Sequence, residues 1–213
     1  MKPVDLMIFD FDGTLVDTGE DIVRAVNHTL RSLGIGEKSR EEIISYVGDG
    51  LQVLLEKALG PEIGRYEEAK EIFTSFYRDH LLDNTRLYPG VAEVLGHFGA
   101  KKKWIVTNKQ YDYTTAIAEG LGISTYFDGI VGRDNGPYAK PDPRVLQEIL
   151  EGQGVEKGRA VVIGDGVQDV KMARNAGIEV CAFINGLGDR EKLLRQRPDY
   201  SCENIIELKA LFC

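Results

Sequence analysis

The sequence predicts an α/β protein with a doubly wound, mostly parallel sheet and an inserted α-helical bundle. From residue 89 onward, short apolar runs alternate with helical segments, which is the pattern of parallel strands joined by helices. Residues 17–85, in contrast, have helical periodicity almost throughout. We therefore assign residues 1–16 and 86–213 to a core domain and residues 17–85 to an inserted helical domain.

The first strand is predicted at Leu6–Phe9, a continuous apolar run typical of a strand that is covered on both faces. Asp10 and Asp12 follow it two residues apart, so in an extended backbone their side chains point the same way. Gly13 then permits a turn that a side chain would obstruct. Two crowded carboxylates at the end of a buried strand need a shared cation or proton. This stretch therefore predicts metal binding and acid/base chemistry.

The inserted domain is expected to contain four helical segments. They begin at or near Thr18, Ser39, Leu51 and Glu62, and the last of them extends to about Leu82. Thr18 and Asp21 have the spacing of a helix capping box. Gly48, Asp49 and Gly50 separate the second segment from the third. The two glycines could present backbone N–H groups to a substrate carboxylate, and a glycine-rich hinge is the alternative interpretation.

The remainder of the core is predicted to repeat strand and helix. The expected strands are Trp104–Val106, Gly129–Gly132, Ala160–Ile163 and Glu179–Ile184. Helices are expected at Tyr111–Leu121, Val145–Leu150, a segment after Asp169 that runs to Ala176 and Gly177, Arg190–Arg195 and Ile205–Leu211. In such sheets ligands bind beyond the carboxyl ends of the strands. The polar residues that follow the strands are Asp10, Asp12, Thr107, Asn108, Lys140, Asp165 and Asp169. We expect them to converge on one edge as a site for a hard cation and a phosphoryl group.

This set of side chains supports a specific chemistry. The carboxylates of Asp10 and Asp165, with a nearby backbone carbonyl, would suffice to bind Mg²⁺. Lys140, Thr107 and the backbone amides of the turn at Gly13 would hold the phosphoryl oxygens. A carboxylate can attack phosphorus directly to form an aspartyl phosphate, and a neighbouring acid can protonate the leaving oxygen and then activate water.

Four segments of the chain resemble the ordered motifs of the haloacid dehalogenase-like hydrolase superfamily. They are Asp10–Asp17, Val106–Lys109, Lys140–Pro143 and Gly164–Asp169. The resemblance implies a Rossmann-like catalytic core with a helical cap at residues 17–85. It also implies roles for individual residues: Asp10 as nucleophile, Asp12 as acid/base, Gly13, Thr107, Asn108 and Lys140 as phosphate binders, Mg²⁺ held by Asp10, Asp165 and the carbonyl of Asp12, and Asp169 as indirect support of the metal.

The substrate is suggested by a weaker resemblance. The cap sequence Tyr46–Leu51 and the pair Asn108–Lys109 are similar to those of phosphoglycolate phosphatases. The expected substrate is therefore 2-phosphoglycolate or a similar small phosphorylated metabolite. A pyrophosphatase, a nucleotide or sugar-phosphate phosphatase and a phosphoglucomutase-like enzyme remain alternatives. A receiver-like signalling domain that accepts a phosphoryl group is the non-enzymatic alternative, although the position of Asp10 and Asp12 and the inserted helices oppose it.

Composition limits the partners. A net charge of −8 disfavours binding to nucleic acid, whose phosphates are held by clusters of Lys and Arg. No apolar run is long enough to span a bilayer. Three widely spaced cysteines fit free thiols in a reducing compartment. We expect a cytoplasmic protein, monomeric or homodimeric, with no nucleic-acid or membrane partner.

Overall fold

A computed structural model describes residues 1–213 and contains one six-stranded parallel sheet. Its strands are β1 (Leu6–Phe9), β4 (Lys102–Val106), β5 (Gly129–Val131), β6 (Ala160–Gly164), β7 (Glu179–Phe183) and β8 (Tyr200–Cys202). They lie in the order β5-β4-β1-β6-β7-β8. Two further strands, β2 (Val16–Asp17) and β3 (Arg86–Leu87), form a separate antiparallel ribbon.

Ten α-helices accompany the strands. They are α1 (Gly19–Ser32), α2 (Arg40–Ile44), α3 (Leu51–Leu59), α4 (Tyr66–Asp79), α5 (Val91–His97), α6 (Tyr111–Gly120), α7 (Arg144–Gln153), α8 (Val167–Ala176), α9 (Arg190–Arg195) and α10 (Leu208–Leu211). The predicted doubly wound α/β fold with inserted helices is confirmed. No helix is long and apolar enough to cross a membrane.

β1 lies in the middle of the sheet because both of its faces are apolar. It pairs in parallel with β4 on one side and with β6 on the other. Met7 and Phe9 pack into one apolar cluster, whereas Leu6 and Ile8 pack into a second cluster on the opposite face. This alternation follows from the two-residue period of a strand. The two apolar clusters hold β1 in place from both faces, and the strand ends directly before Asp10.

The chain enters and leaves the inserted helical segment, which contains α1–α4 and is called the cap below, through the ribbon. Val16 pairs with Leu87 and Asp17 pairs with Arg86, so the outgoing and returning segments lie side by side. Helices α1–α4 occupy the interval between them, and α1 packs along α4. The last cap helix is shorter than expected, because a 3₁₀ segment at Gly60–Arg65 precedes α4 and the helix ends at Asp79.

The predicted capping box at the start of α1 is wrong. The Thr18 hydroxyl donates instead to Asp12 Oδ1 at 2.7 Å, and no side-chain cap bond forms at this helix. Asp21 is fully buried and accepts hydrogen bonds from the backbone N–H groups of Asn84 and Thr85 and from both of their side chains, at 2.8–3.1 Å. Asp21 therefore joins α1 to the segment that leads back into the core.

Replacing Asp21 with asparagine is expected to destabilise the protein by about 2 kcal/mol or more. One of the two carboxylate oxygens becomes an N–H₂ group, so the buried donors that this oxygen served lose their acceptor. For a chain of this size this destabilisation corresponds to a fall in Tm of about 4–8 °C. Thermal unfolding followed by circular dichroism measures it. Asp79→Asn is the matched control, since Asp79 is exposed on α4. An Asp21→Asn variant as stable as the control would contradict this interpretation.

Three elements were absent from the expectations. The ribbon is only two residues long on each strand, α5 begins after a left-handed Gly90, and β8 is a three-residue edge strand. Such short elements carry too few residues for a periodic pattern to be visible. The C-terminal helix expected at Ile205–Leu211 is a 3₁₀ turn followed by one short α-helix.

Candidate active site

A buried lysine joins two of the predicted acids. Lys140 Nζ lies 2.6 Å from Asp10 Oδ1 and 2.8 Å from Asp169 Oδ1, and all three side chains are largely withdrawn from solvent. Asp10 is positioned by the end of β1, and Asp169 by the first turn of α8. The second oxygen of Asp169 accepts the backbone N–H of Gly166 at 3.0 Å. Because the donor is backbone, this bond does not require a side chain at position 166.

Asp165 follows β6 and is held by donors from two other segments. Its Oδ1 accepts the Thr14 hydroxyl at 2.9 Å. Its Oδ2 accepts the backbone N–H groups of Leu187 and Gly188, both at 2.9 Å. Gly13 has a φ of +83°, and a Cβ at that position would lie 2.1 Å from Asp165 Oδ2. The turn after β1 therefore approaches Asp165 as closely as only glycine allows.

The acids form a donor set suited to a hard cation. Carboxylate oxygens of Asp10, Asp165 and Asp169 lie within 4.8 Å of one another. The three carboxylates face one ammonium group, that of Lys140, which leaves a formal excess of two negative charges. Oxygen donors with this excess match the preferences of a divalent cation such as Mg²⁺. The residues present therefore fit a divalent metal.

Burial dominates the ionisation of this cluster. It raises the pKa of Asp165 to about 6, and the neighbouring Asp169 adds to the increase. Burial and Asp169 likewise raise the pKa of Asp10 above its usual range, while Lys140 opposes the change. Burial disfavours the charged form of Lys140, but Asp10 and Asp169 outweigh it and hold the lysine pKa above its ordinary value. A bound cation would favour the ionised forms of these carboxylates, as the ammonium group of Lys140 already does.

Asp12 belongs to a different set of contacts. Besides the Thr18 hydroxyl, its carboxylate meets Lys109 Nζ at 3.1 and 3.3 Å. Lys109 also donates to the hydroxyl of Tyr77, on α4 of the cap, at 2.7 Å. Burial raises the pKa of Tyr77 to about 12. Burial opposes the charge on Lys109, yet Asp12 and Tyr77 keep the lysine pKa above its usual value.

The glycine-rich loop of the cap touches the core. Asn108 Nδ2 donates to the carbonyl of Gly48 at 2.9 Å, and Gln168 Nε2 donates to Asp49 Oδ1 at 2.7 Å. Gly48 and Gly50 have φ values of +113° and +91°, which glycine adopts readily. The loop thus uses acceptors at Gly48 and Asp49 to contact the core, and α3 begins immediately after it.

A cavity of about 70 Å³ lies between the cap and the core. Its core side is formed by Tyr113 of α6 and by residues that follow β1 and β4, namely Asp10, Asp12, Thr107, Asn108, Lys109 and Gln110. Its cap side is formed by Ile22, Val47, Gly48, Gly50, Leu51, Leu54, Phe73 and Tyr77. Asp10 and Asp12 thus border a partly open cleft that is mainly apolar on its cap side.

The structure brings the sequence-predicted residues to one sheet edge. Asp10, Lys140, Asp165 and Asp169 form one cluster, and Asp12 and Thr107 border the same cavity. Asn108 also borders it, although its amide N–H₂ is engaged by the cap loop. Gly13 lies against Asp165.

Several contributors had not been assigned a role from the sequence, and Lys109, which contacts Asp12, is one of them. The Thr14 hydroxyl and the amides of Leu187 and Gly188 bind Asp165, and Tyr77 binds Lys109. Thr14 lies inside the first motif, Asp10–Asp17, so the sequence contained a signal that it belongs to the site. Backbone amides carry no residue-type signal at all. Tyr77 resembles an ordinary apolar-face residue of an amphipathic helix, and only the folded structure shows what its hydroxyl contacts.

Comparisons with known proteins agree with this geometry. The family model for haloacid dehalogenase-like hydrolases matches residues 7–183. A phosphoglycolate phosphatase from Chromobacterium violaceum is 34% identical over 218 residues, covering 98% of this chain and 96% of the relative. One from Aquifex aeolicus is 33% identical over 208 residues, covering 97% and 95%.

Solved structures support the same fold. The crystal structure of a predicted phosphoglycolate phosphatase from Haemophilus somnus superposes with a TM-score of 0.93 at 24% identity, covering 98% of this chain and 97% of that one. The family match spans the four motifs that carry Asp10, Thr107, Lys140 and Asp165. The chain therefore belongs to the haloacid dehalogenase-like hydrolases, and it is an enzyme of the phosphatase type, similar to the phosphoglycolate phosphatases.

Proposed function

We propose that the protein is a Mg²⁺-dependent phosphomonoester hydrolase that acts through an aspartyl phosphate on 2-phosphoglycolate or a similar small metabolite. The observation that carries the proposal is the separation of the two acids after β1. Asp10 lies in the cluster with Lys140, whereas Asp12 is held by Thr18 and Lys109. Two carboxylates in different environments can perform different tasks.

In the first half of the reaction, the Asp10 carboxylate attacks phosphorus and the bond to the leaving oxygen breaks. Asp12 gives its proton to that oxygen, so the alcohol departs neutral. Lys140 and Thr107 would hold the phosphoryl oxygens on which negative charge accumulates. In the second half, Asp12 takes a proton from water, the water oxygen attacks the aspartyl phosphate, and inorganic phosphate and free Asp10 result.

The carboxylates of Asp10 and Asp165, with the carbonyl of Asp12, would hold the Mg²⁺ ion. When bound, the ion supplies positive charge that lets an anionic phosphate approach Asp10. We assign indirect support to Asp169, which orients Lys140 and the backbone of Gly166. Residues 17–85 would act as the cap that excludes bulk water from the cavity.

The choice of a small substrate rests on the relatives and on the cap side of the cavity. That side is formed mainly by apolar residues and offers no further charged group for a large polar leaving group. The relatives named above are phosphoglycolate phosphatases.

A substrate panel tests the proposal. We expect kcat/KM for phosphoglycolate to exceed the values for a nucleoside monophosphate and a hexose phosphate by at least about tenfold. Phosphate release should continue over many turnovers, should stop with EDTA, and should resume when excess Mg²⁺ is added. Equal rates on all substrates would indicate a general phosphatase. Retention of one phosphate per chain without further release would instead indicate a receiver-like domain.

A further inference from the structure

Lys109 is a buried cation that lies beside the reaction centre but outside the Lys140 cluster. Only 6% of its side chain is exposed. Its ammonium group contacts Asp12 and the hydroxyl of Tyr77 and lies 4.8 Å from the centre of the Tyr77 ring. A buried cation is costly unless its surroundings compensate it. The fold therefore maintains a positive charge at this point.

The donors around Lys109 are not all used. An ammonium group has three N–H bonds. Lys109 Nζ lies within hydrogen-bonding distance of both Asp12 oxygens, at 3.1 and 3.3 Å, and of the Tyr77 oxygen at 2.7 Å, so all three have a protein acceptor and the contact with Asp12 Oδ2 is the longest. The Tyr77 hydroxyl accepts from Lys109 but donates to no protein group. The Tyr77 hydroxyl therefore keeps one unused donor, and a substrate oxygen can replace the longest contact of Lys109, because both residues line the cavity.

Lys109 is the one cationic residue among those that line the cavity, and the cap contributes mainly aliphatic and aromatic side chains such as Leu54 and Phe73. The other donors are neutral: the backbone N–H groups of Gly48 and Gly50, and the N–H of Asn108 that Gly48 does not engage. An anionic group that enters the cavity beyond the phosphoryl site therefore has one charged partner, Lys109, with the Tyr77 hydroxyl beside it.

The position of this pair relates it to the leaving group. In the proposed reaction the leaving oxygen must come within about 3 Å of the Asp12 carboxylate to receive its proton. Lys109 Nζ lies 3.1 Å from the same carboxylate. An anionic group attached one carbon away from the leaving oxygen would thus reach hydrogen-bonding distance of Lys109. Glycolate has its carboxylate at this position, and pyrophosphate carries its second phosphoryl group directly on the leaving oxygen.

We propose that Lys109, assisted by the Tyr77 hydroxyl, recognises a second anionic group of the substrate adjacent to the scissile phosphoester. This inference rests on the proposed phosphatase function and specifies its substrate class as small phosphoesters that carry a second anion. Because Tyr77 belongs to the cap and Lys109 to the core, the same contact joins the two domains around the substrate.

The test compares substrates that differ in the second anion. Phosphoglycolate and pyrophosphate carry one, and ethyl phosphate has a methyl group in place of the carboxylate. Lys109→Met should lower kcat/KM for an anion-bearing substrate by about 10- to 100-fold more than for ethyl phosphate, the range expected for a hydrogen bond to a charged group. Tyr77→Phe should have a smaller effect in the same direction. Lys171→Met is the matched control, because Lys171 is exposed on α8.

A larger loss of kcat/KM with phosphoglycolate than with ethyl phosphate would support a carboxylate as the second anion. A larger loss with pyrophosphate alone would support a second phosphoryl group. An equal loss on all three substrates would overturn the inference, because Lys109 would then act only by positioning Asp12.

A binding measurement separates this inference from the proposed function. In an Asp10→Asn background, calorimetry should show that Lys109→Met weakens phosphoglycolate binding by a similar factor and leaves ethyl phosphate binding unchanged. Unchanged phosphoglycolate binding would overturn the inference. If the wild-type protein released phosphate from no ester, the proposed function would fail, and the binding result would still decide the role of Lys109.

Discussion

Replacing Asp10 with asparagine is expected to abolish Mg²⁺-dependent phosphate release while the protein remains folded. An amide of the same size fits the position but lacks the negative oxygen that would attack phosphorus. Loss of the nucleophile in a hydrolase that uses covalent catalysis costs about 10⁶-fold in kcat. Phosphate release under saturating substrate measures the effect, and circular dichroism reports the fold.

The same exchange at Asp79, an exposed residue of α4, is the matched control and should leave kcat unchanged. Trapping the aspartyl phosphate gives a second readout, since label from a ³²P-phosphoester should remain on the wild-type protein after acid quenching and should be absent from Asp10→Asn. Near-normal turnover by the variant would falsify the assignment of Asp10 as nucleophile.

Replacing Lys140 with methionine should reduce both stability and activity. The ammonium group lies within 2.8 Å of both Asp10 and Asp169, so its removal leaves buried carboxylates without their counter-charge. Breaking a buried pair in this way costs about 3–5 kcal/mol, which corresponds to a fall in Tm of about 10 °C for a chain of this length. Loss of a group that stabilises phosphoryl charge should lower kcat by at least about 100-fold.

Thermal unfolding without added metal measures the first effect, and phosphate release at 15 °C, well below the lowered Tm, measures the second. Lys171→Met again serves as the control for the exchange itself. Lys140→Arg tests whether charge alone suffices, and it should recover stability more fully than activity because the guanidinium group has a different shape. A Lys140→Met protein with the Tm of the wild type would show that the ion pairs contribute nothing net.

Much of the site could be predicted from the sequence because each residue follows a strand end. A buried central strand determines where Asp10 lies, and the parallel topology brings Thr107, Lys140 and Asp165 to the same edge. This reasoning needs only the apolar runs and the residues that terminate them. It is independent of side-chain conformation, which is why it succeeds for these positions.

Contacts across the cap could not be predicted in the same way. The bond between Lys109 and Tyr77 depends on how α4 packs over the sheet, and helical periodicity shows that Tyr77 is on an apolar face but not what its hydroxyl meets. Thr18 and Asp21 illustrate the same limit, because a local capping motif competes with distant partners that the sequence does not reveal. At both positions the side chain makes a tertiary hydrogen bond in place of the local capping bond.

The paired ends of the inserted segment affect how this protein can change over evolutionary time. Because Val16 and Leu87 are backbone partners, the intervening chain is a closed loop whose two ends are already held together. Closing a longer loop at a fixed pair of ends costs only about 0.6 kcal/mol for each doubling of its length. Changes in length between these strands therefore cost little in closure entropy, as long as Thr18 and Tyr77, which contact Asp12 and Lys109, are kept. A lineage can therefore change the length of the inserted segment that borders the cavity while it retains the sheet edge that carries Asp10 and Asp165.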